Sequence, residues 1–445
     1  MALIHEKVLN NLDDATSLLQ RRGAKYSSRP RLVMAQDILS RGMRGLTMPY
    51  GEQWQTWRKA GLPCAIQSAG LSGRAASGYR EHQTLEATVL LQKILREPGD
   101  YAYHLSLFAT NVVMSISYGF RVSDLEDAWV KSHLLCIKGI CLALACMSPG
   151  SPMTPQRFLQ WFRGDADAAY ERAATLYMKL LMDVKDKMEK GVAKDCLAAY
   201  CLTEQQSIGW THLQLAFAVS APFGAGIDTT AGSLEAGICA ILRNPAATRT
   251  AQAELDHVVG RARLPTFADE PRLPYVAAWL RELTRWFSVA PLGVPHAVTA
   301  DDDHGGAHVP KGSTVVANLY SILRDPRKFP EPETFRPERF LSDDGTAAKE
   351  FTPPFGFGRR QCVGMPLAQQ SLFIVLSRFL WAFDFIPAED ETGKPLLPDM
   401  NGEQTLGLTR KPVQAKFTVR VRFPEAAEIL EKEVAAAEDL LQGWM

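Results

Sequence analysis

Hydrophobic and polar residues recur along this chain with two different periods. The 3.6-residue period of a helix dominates, and the two-residue period of a strand is confined to two stretches. Helical patterns cover residues 85–118, 166–190, 211–243, 275–287, 363–383 and 425–441, and strand patterns cover residues 308–316 and 405–421. We expect the stretch at 308–316 to form a hairpin. The pattern therefore predicts a mainly helical protein with small β-sheets.

The segment from Thr211 to Arg243 predicts the longest helix, and Asn244-Pro245 would end it. Pro222 removes one helical hydrogen bond, so we expect a kink there. Residues 225–230, with the sequence AGIDTT, place a glycine, an acid and two hydroxyls in mid-helix, where all are poor helix formers. Such a local inconsistency usually marks function, although a kink with capped hydroxyls would give the same pattern.

A glycine-rich stretch, Phe355 to Gly364, precedes the apolar segment that runs to Phe383. Its glycines allow sharp bends and a close approach to a flat cofactor. Cys362 stands just before a helix start, where free amides and the helix dipole are expected to lower the pKa of its thiol. We interpret Cys362 as the axial thiolate ligand of a haem iron. The alternative is a free cysteine in a glycine loop.

Length and composition exclude some classes of function. The 445 residues allow two or three average domains or one large helical enzyme domain. Lys plus Arg and Asp plus Glu are both 49, and this zero net charge gives no indication of nucleic-acid binding. The longest apolar run, 134–147, is interrupted by Lys138, and it is shorter than the roughly 18 to 20 residues that span a bilayer. The polar residues after Met1 argue against a signal peptide.

The eight cysteines favour a reducing compartment, because most of them lie in apolar stretches rather than in a compact framework. The three that recur every five residues have no histidine to complete a metal set, so we expect core packing for them. The cysteines are at positions 64, 136, 141, 146, 196, 201, 239 and 362.

The cysteine stretch resembles a known signature. Phe355, Gly358, Arg360, Cys362 and Gly364 match, spacing included, the cysteine loop of the cytochrome P-450 family of haem-thiolate monooxygenases. Matching landmarks run in family order from about residue 30 to about residue 423. The resemblance implies a mainly α fold with small β-sheets (α+β), with a long distal helix and a buried cysteine-loop helix.

The resemblance also assigns roles to residues elsewhere in the chain. It implies that Asp228 and Thr229 deliver protons, the Thr229 hydroxyl breaking the backbone ladder of its helix. Glu282, Arg285 and Arg339 would form a folding scaffold beneath the haem. The residues implied to hold the haem are Trp54, Arg58, His296, Phe355, Arg360, Cys362 and Gly364, of which Cys362 binds the metal. For Trp54 and Arg58, which are four apart on one helix face, a surface cation beside an aromatic ring is the alternative. For His296 the alternative is a structural hydrogen bond.

Domain boundaries and location are expectations of the same kind. Residues 1–424 would form the haem domain, and 425–445 an acidic helix that packs on the body or binds a partner. The chain most resembles the fungal secondary-metabolism type of the membrane-bound eukaryotic members, without their apolar anchor, proline-rich hinge, first helix and first strand. Relatives are anchored in the endoplasmic reticulum membrane facing the cytoplasm, so we expect a cytoplasmic-side location with peripheral membrane contact at most.

The implied activity is insertion of one atom of O2 into a lipophilic small molecule, with heme b as the cofactor. No nucleotide-binding glycine fingerprint is present, so NADPH would act through a separate reductase. Arg327, Lys328 and Lys349 could dock that partner or be ordinary surface charge, and the expected apolar pocket residues are Phe223, Ala225, Leu292 and Leu406. Two alternatives remain: a peroxide-driven or isomerase relative, which would tend to lose the acid and threonine, and a non-catalytic haem-binding relic.

Overall fold

The computed structural model describes residues 5–58, 73–127, 130–131, 160–346, 350–401 and 408–444. Several positions discussed above lie outside the described residues. They are Cys64, Cys136, Cys141, Cys146, Lys349, Leu406 and the start of the second strand pattern at 405–407.

Helices dominate the described chain, as the periodicity predicts. The long ones are α1 (Gly73–Arg96), α2 (Tyr101–Tyr118), α3 (Gln160–Glu189), α4 (His212–Val219), α5 (Ala221–Arg243), α6 (Pro245–Val258), α7 (Pro274–Trp286), α8 (Met365–Ala382) and α9 (Pro424–Gln442). Shorter helical turns lie at Leu12–Ala15, Thr16–Arg21, Gly23–Tyr26, Val33–Ile38, Glu52–Thr56, Pro98–Asp100, Leu197–Thr203, Gln205–Ile208, Glu270–Arg272, Leu319–Ile322, Pro337–Phe340, Pro353–Phe355 and Gly358–Arg360. No helix in the described ranges is both long and apolar enough to cross a bilayer.

The predicted long central helix is interrupted near Pro222. Thr211 caps its start, since the Thr211 hydroxyl accepts from the amide of Gln214 while the Gln214 side chain accepts from the amide of Thr211. The first segment, α4, ends at Val219, and α5 begins at Ala221 with Pro222 in its first turn. The expected interruption is therefore confirmed, because proline fits the first turn of a helix but not its interior.

The strands of the described residues form three small sheets. They are β1 (Glu6–Leu9), β2 (His296–Ala297), β3 (Asp302–His304), β4 (Ala307–Val309), β5 (Thr314–Ala317), β6 (Phe383–Pro387) and β7 (Phe417–Val421). In the first sheet, β5 lies between β1, which is parallel to it, and β2, which is antiparallel. The pairs β3–β4 and β6–β7 are antiparallel hairpins.

The strand pattern at 308–316 does not form one hairpin, contrary to our expectation. Its first part pairs with β3 in the register Asp303 with His308, whereas Val315 pairs with both Lys7 and His296 in the other sheet. Local alternation identified the strands correctly, but it carries no information about which distant strand each one pairs with.

The core is built around α5 and α8. Buried residues of α8, among them Leu376 and Phe379, join one hydrophobic cluster with Leu234 and Ile238 of α5. The acidic C-terminal helix α9 also packs on the body, because Ala437 and Leu441 contact Val89 of α1. This arrangement brings the start of α8, and with it the cysteine loop, toward the middle of α5.

Candidate active site

The cysteine loop is a tight backbone structure. The amide of Cys362 donates to the carbonyl oxygen of Phe355 at 2.9 Å, which closes the loop. Gly356 and Gly358 have φ values of 81° and 56°, in the region that favours glycine. A Cβ atom at Gly358 would lie 2.3 Å from the carbonyl oxygen of Leu19, so this position also needs the missing side chain. Gly364 has φ −81° and precedes α8, so its conformation does not demand glycine.

Cys362 has a thiol whose pKa is set by its surroundings. Its side chain is accessible, yet protein surrounds the thiol closely enough for burial to raise its pKa. The amides of Gly364 and Met365 and the charge of Arg58 act in the opposite direction, but burial has the larger effect. The expected lowering of the Cys362 pKa was therefore wrong for the cofactor-free protein. A bound metal ion would supply the positive charge that favours the thiolate.

Arg58 and Arg360 meet above Trp54. An Nη of Arg58 donates to the carbonyl oxygen of Gln361 at 3.0 Å, directly beside the cysteine. The guanidinium of Arg360 lies 4.1 Å from the centroid of the Trp54 ring, and that of Arg58 lies 6.0 Å from it. The Trp54 ring therefore makes cation–π contacts with both guanidinium groups.

A third cation, Arg29, lies in the same region. It is buried and donates to the carbonyl oxygens of Leu46, Val294 and Pro295. Burial lowers the pKa of all three arginines, that of Arg360 to about 9, and the charge of Arg360 further lowers the pKa of Arg29. The sequence alone did not identify Arg29, because no local pattern distinguishes this arginine from a surface one.

These three arginines have no carboxylate partner among the described residues. Their partners are carbonyl oxygens and aromatic rings, which do not neutralise charge. Buried cations are normally paired with anions. The Arg29, Arg58 and Arg360 cluster is therefore a candidate anion site, whose guanidinium groups are able to hold negatively charged groups of a ligand.

His296 is buried next to this cluster. Its Nδ1 lies 2.7 Å from the carbonyl oxygen of Tyr26. Because a carbonyl oxygen can only accept, Nδ1 carries the proton. Burial and the charges of Arg29 and Arg360 lower the pKa of His296 to about 3, so the neutral ring prevails near pH 7. The structural hydrogen bond, one of the two alternatives for this residue, is thus present.

Asp228 and Thr229 lie on α5, which is continuous from Ala221 to Arg243. The Thr229 hydroxyl donates to the carbonyl oxygen of Ala225 at 2.7 Å, one turn earlier. The helix is thus not broken at Thr229, contrary to the expectation, and the only interruption lies near Pro222. The Asp228 carboxylate lies 3.9 Å from the Lys411 ammonium group.

The predicted scaffold trio is formed. Arg285 donates to both carboxylate oxygens of Glu282, at 2.7 and 2.8 Å, and Arg339 donates to the same group at 3.2 Å. The side chains of Glu282 and Arg285 are fully buried. Arg285 also donates to the carbonyl oxygens of Leu323 and Pro332, so it ties α7 to the loop that leads toward the cysteine.

The structure brings the motifs into one region. Val363 follows Cys362 in the chain. It packs against the hydrophobic cluster that contains Trp54, which is paired with Arg58 in the sequence analysis, and Ile227 of α5. Of the expected pocket residues, Ala225 and Leu292 are exposed, whereas Phe223 is buried in this cluster.

Two of the three cations considered for partner docking are engaged locally. Arg327 pairs with Asp325 at 2.7 Å, and Lys328 pairs with Asp13 at 3.2 Å. Both are ordinary surface ion pairs.

The donor set fits haem. A haem carries an iron that accepts a thiolate and two propionate groups that carry negative charge. The site offers an accessible thiol beside half-buried arginines that have no carboxylate partner among the described residues. The fold and this site define a haem-thiolate protein.

Comparison with known proteins gives the same class. The sequence model of the cytochrome P450 family matches residues 5–418. A cytochrome P450 monooxygenase of Armillaria gallica is 34% identical over 440 residues, covering 96% of this chain and 83% of that protein. Cytochrome P450 monooxygenase 58 of Postia placenta is 33% identical over 436 residues, covering 95% and 82%. A zebrafish cytochrome P450 structure, with abiraterone, superposes with a TM-score of 0.74 at 28% identity, covering 94% of this chain and 93% of that one.

This chain belongs to the cytochrome P450 family and is a haem-dependent monooxygenase.

Proposed function

We propose that this monooxygenase inserts one oxygen atom into a lipophilic small molecule of secondary metabolism, taking electrons from NADPH through a separate reductase. The observation that carries the haem site is the accessible thiol of Cys362 beside Arg58 and Arg360, which have no carboxylate partner in the described chain. The fungal relatives support the metabolic setting, and the reductase follows from the absence of a nucleotide-binding motif in the sequence.

Cys362 is the axial ligand in this proposal, and Arg58 and Arg360 hold the propionates. Charge-assisted hydrogen bonds from guanidinium groups to carboxylates are among the strongest in proteins, and they would supply the missing neutralisation. Trp54 supports both guanidinium groups from below. Phe355 and Gly364 shape the loop around the sulfur, Phe355 through the hydrogen bond to the Cys362 amide.

His296 has a conditional role. With Nδ1 donating to Tyr26, the neutral ring has only an acceptor at Nε2 and cannot donate to a propionate. A nearby propionate would raise the pKa of His296 and favour the doubly protonated ring, which donates from both nitrogens. We therefore assign His296 to propionate binding only in its charged form.

When bound, a thiolate-ligated haem supplies the electron density that favours O–O bond cleavage. In this scheme Asp228 and Thr229 are catalytic residues that bring protons to the reacting oxygen. The Thr229 hydroxyl can rotate away from the Ala225 carbonyl toward the proposed haem site. The Asp228 side chain is 37% exposed, so it can exchange protons with water. Ala225 and Leu292, both exposed on elements around the site, would contribute apolar surface to the substrate pocket.

The decisive experiment uses Cys362→Ser and the carbon monoxide complex of the reduced holoprotein. Thiolate ligation produces a strongly red-shifted Soret band, and we expect this band in the parent protein and its loss in the variant. Cys201→Ser, which removes a buried thiol of the core, is the control and should retain the band. A red-shifted band that survives in Cys362→Ser would overturn the assignment.

The proton-delivery role needs a separate test. Thr229→Ala should divert electrons from product into hydrogen peroxide, measured as product formed per NADPH consumed once a substrate and a reductase are in hand. Ser233→Ala is a matched control, because the Ser233 hydroxyl donates to the Thr229 carbonyl at 2.8 Å, in the same i to i−4 geometry. Equal coupling in Thr229→Ala and the parent protein would contradict the role. Product formation that needs only peroxide would instead favour the peroxide-driven alternative.

A further inference from the structure

A buried acid, Glu235, lies two turns beyond Asp228 on α5. Its side chain is 3% exposed, and its Oε1 lies 3.1 Å from the ammonium nitrogen of Lys411. The same nitrogen lies 3.9 Å from an oxygen of Asp228. Two carboxylates of one helix therefore share one cation.

Lys411 is held in place by its surroundings. A Cβ atom at Gly232, between the two acids, would lie 3.3 Å from Cγ of Lys411, so the glycine leaves room for the lysine stem. The preceding residue, Arg410, fixes the segment, since its amide donates to the Val289 carbonyl at 2.9 Å and its Nε donates to the Ser288 carbonyl at 3.0 Å. The ammonium group is thus a fixed charge and not a mobile surface one.

The charges in this cluster do not balance. One ammonium group can neutralise one carboxylate, and a second ionised carboxylate so close to the first is disfavoured in a buried setting. Lys411 and Asp228 are the charged groups that act on Glu235, and burial raises its pKa. Tyr101 of α2 and Cys239 of α5 also face Glu235, and it raises the pKa of both, so neither supplies a compensating positive charge.

We propose that Glu235 and Lys411 are positioning residues for Asp228, and that the buried Glu235 carboxyl group holds a proton beside residues 225–230. Lys411 orients Asp228 along the helix, and Glu235 fixes Lys411. The Asp228 side chain is 37% exposed and that of Glu235 is 3% exposed, so Glu235 acts only through its neighbours. This inference rests on the proposed role of Asp228 in proton delivery.

The first test needs neither haem nor substrate. Lys411→Met leaves a buried acid without its cation, so the pKa of Glu235 rises further above its unfolded value. A raised acid pKa makes stability fall as the pH rises from the unfolded toward the folded pKa. The denaturation midpoint of the haem-free variant should thus fall more steeply than that of the parent protein as the pH rises above about 4.5, the ordinary range of a glutamate pKa. Adding Glu235→Gln to Lys411→Met should remove the extra slope, whereas Lys416→Met, an exposed lysine of the same segment, should not change it.

The second test measures coupling of the holoenzyme, product per NADPH, across the same pH range. In the parent protein, coupling should decline as Glu235 loses its proton, and Glu235→Gln should flatten this profile while the carbon monoxide spectrum stays that of a thiolate-ligated haem. An unchanged stability slope in Lys411→Met, or superimposable coupling profiles, would overturn the inference. Loss of the thiolate spectrum in the parent protein would instead contradict the proposed function, so the two failures are distinguishable.

Discussion

The guanidinium of Arg360 lies 4.1 Å above the Trp54 ring and donates to the carbonyl oxygens of Ser27 and Met48. A residue of the cysteine loop is thus fixed by the segment that carries the W-x-x-x-R motif. The contact explains how the cysteine loop and the Trp54–Arg58 pair, far apart in sequence, come together in one candidate anion site.

Arg360→Leu should weaken haem binding. Loss of a charge-assisted hydrogen bond typically costs about 1.5–3 kcal/mol, which corresponds to a roughly 10- to 100-fold faster haem transfer to an acceptor protein if binding is lost through dissociation. Transfer can be followed by absorbance with apomyoglobin in excess.

Arg359→Leu is the neighbouring control, because Arg359 is exposed and contacts Tyr50 instead. Arg360→Lys should give an intermediate rate, since it keeps the charge but not the fork-shaped donor set. Equal rates for Arg359→Leu and Arg360→Leu would show that Arg360 holds no propionate.

Alkylation of Cys362 by iodoacetamide should have an unusual pH dependence in the haem-free protein. Only the thiolate reacts, and burial raises the thiol pKa, so the rate profile should lie at higher pH than that of the same cysteine in the unfolded chain. Arg58→Leu removes a charge that lowers this pKa and should move the profile to still higher pH. Peptide mass spectrometry resolves Cys362 from the other cysteines. A profile at lower pH than in the unfolded chain would contradict the burial argument.

Glu282→Gln should destabilise the haem-free protein strongly. The change leaves Arg285, fully buried, without its carboxylate, and breaking a buried ion pair costs about 3–5 kcal/mol. Urea unfolding followed by circular dichroism measures the loss. Glu333→Gln is the control, because Glu333 pairs with Arg324 at 3.2 Å while 73% exposed, and such pairs contribute about 0–1 kcal/mol. Similar midpoints for both variants would refute the scaffold role.

Gly358→Ala and Gly356→Ala distinguish two requirements for glycine, a positive φ and the absence of a Cβ atom. Both residues have positive φ, which costs alanine about 1–3 kcal/mol, but only at Gly358 would the new Cβ atom collide with the Leu19 carbonyl oxygen. We therefore expect Gly358→Ala to lose haem and stability well beyond Gly356→Ala, as measured by the haem content of purified protein and the thermal midpoint. Equal losses would mean that backbone conformation alone matters.

Much of the fold was predictable because it is local. The helical period, the capping residues at Thr211 and the proline at 222 mark the elements that the structure contains. The prediction that residues 308–316 form one hairpin was wrong. Val315 pairs with Lys7 and His296, and alternation of hydrophobic and polar residues cannot identify such distant partners.

For the site, the sequence predicted which residues take part but not the electrostatic environment of the cysteine. The positions of Cys362, Arg58 and the Glu282 trio follow from spacing, since each motif must place its own side chains correctly. The direction of the Cys362 pKa shift was not predictable, because burial competes with the nearby amides and its extent depends on the whole surrounding structure.

The sequence by itself determined the helical character of this protein, its candidate iron ligand and its family, since these depend on residue types at short spacing. Only the tertiary structure decided that Arg29 lies near Arg360 and that Lys411 lies between Asp228 and Glu235. The physical reason is that burial and charge are set by neighbours from distant parts of the chain, and these meet only when the chain folds.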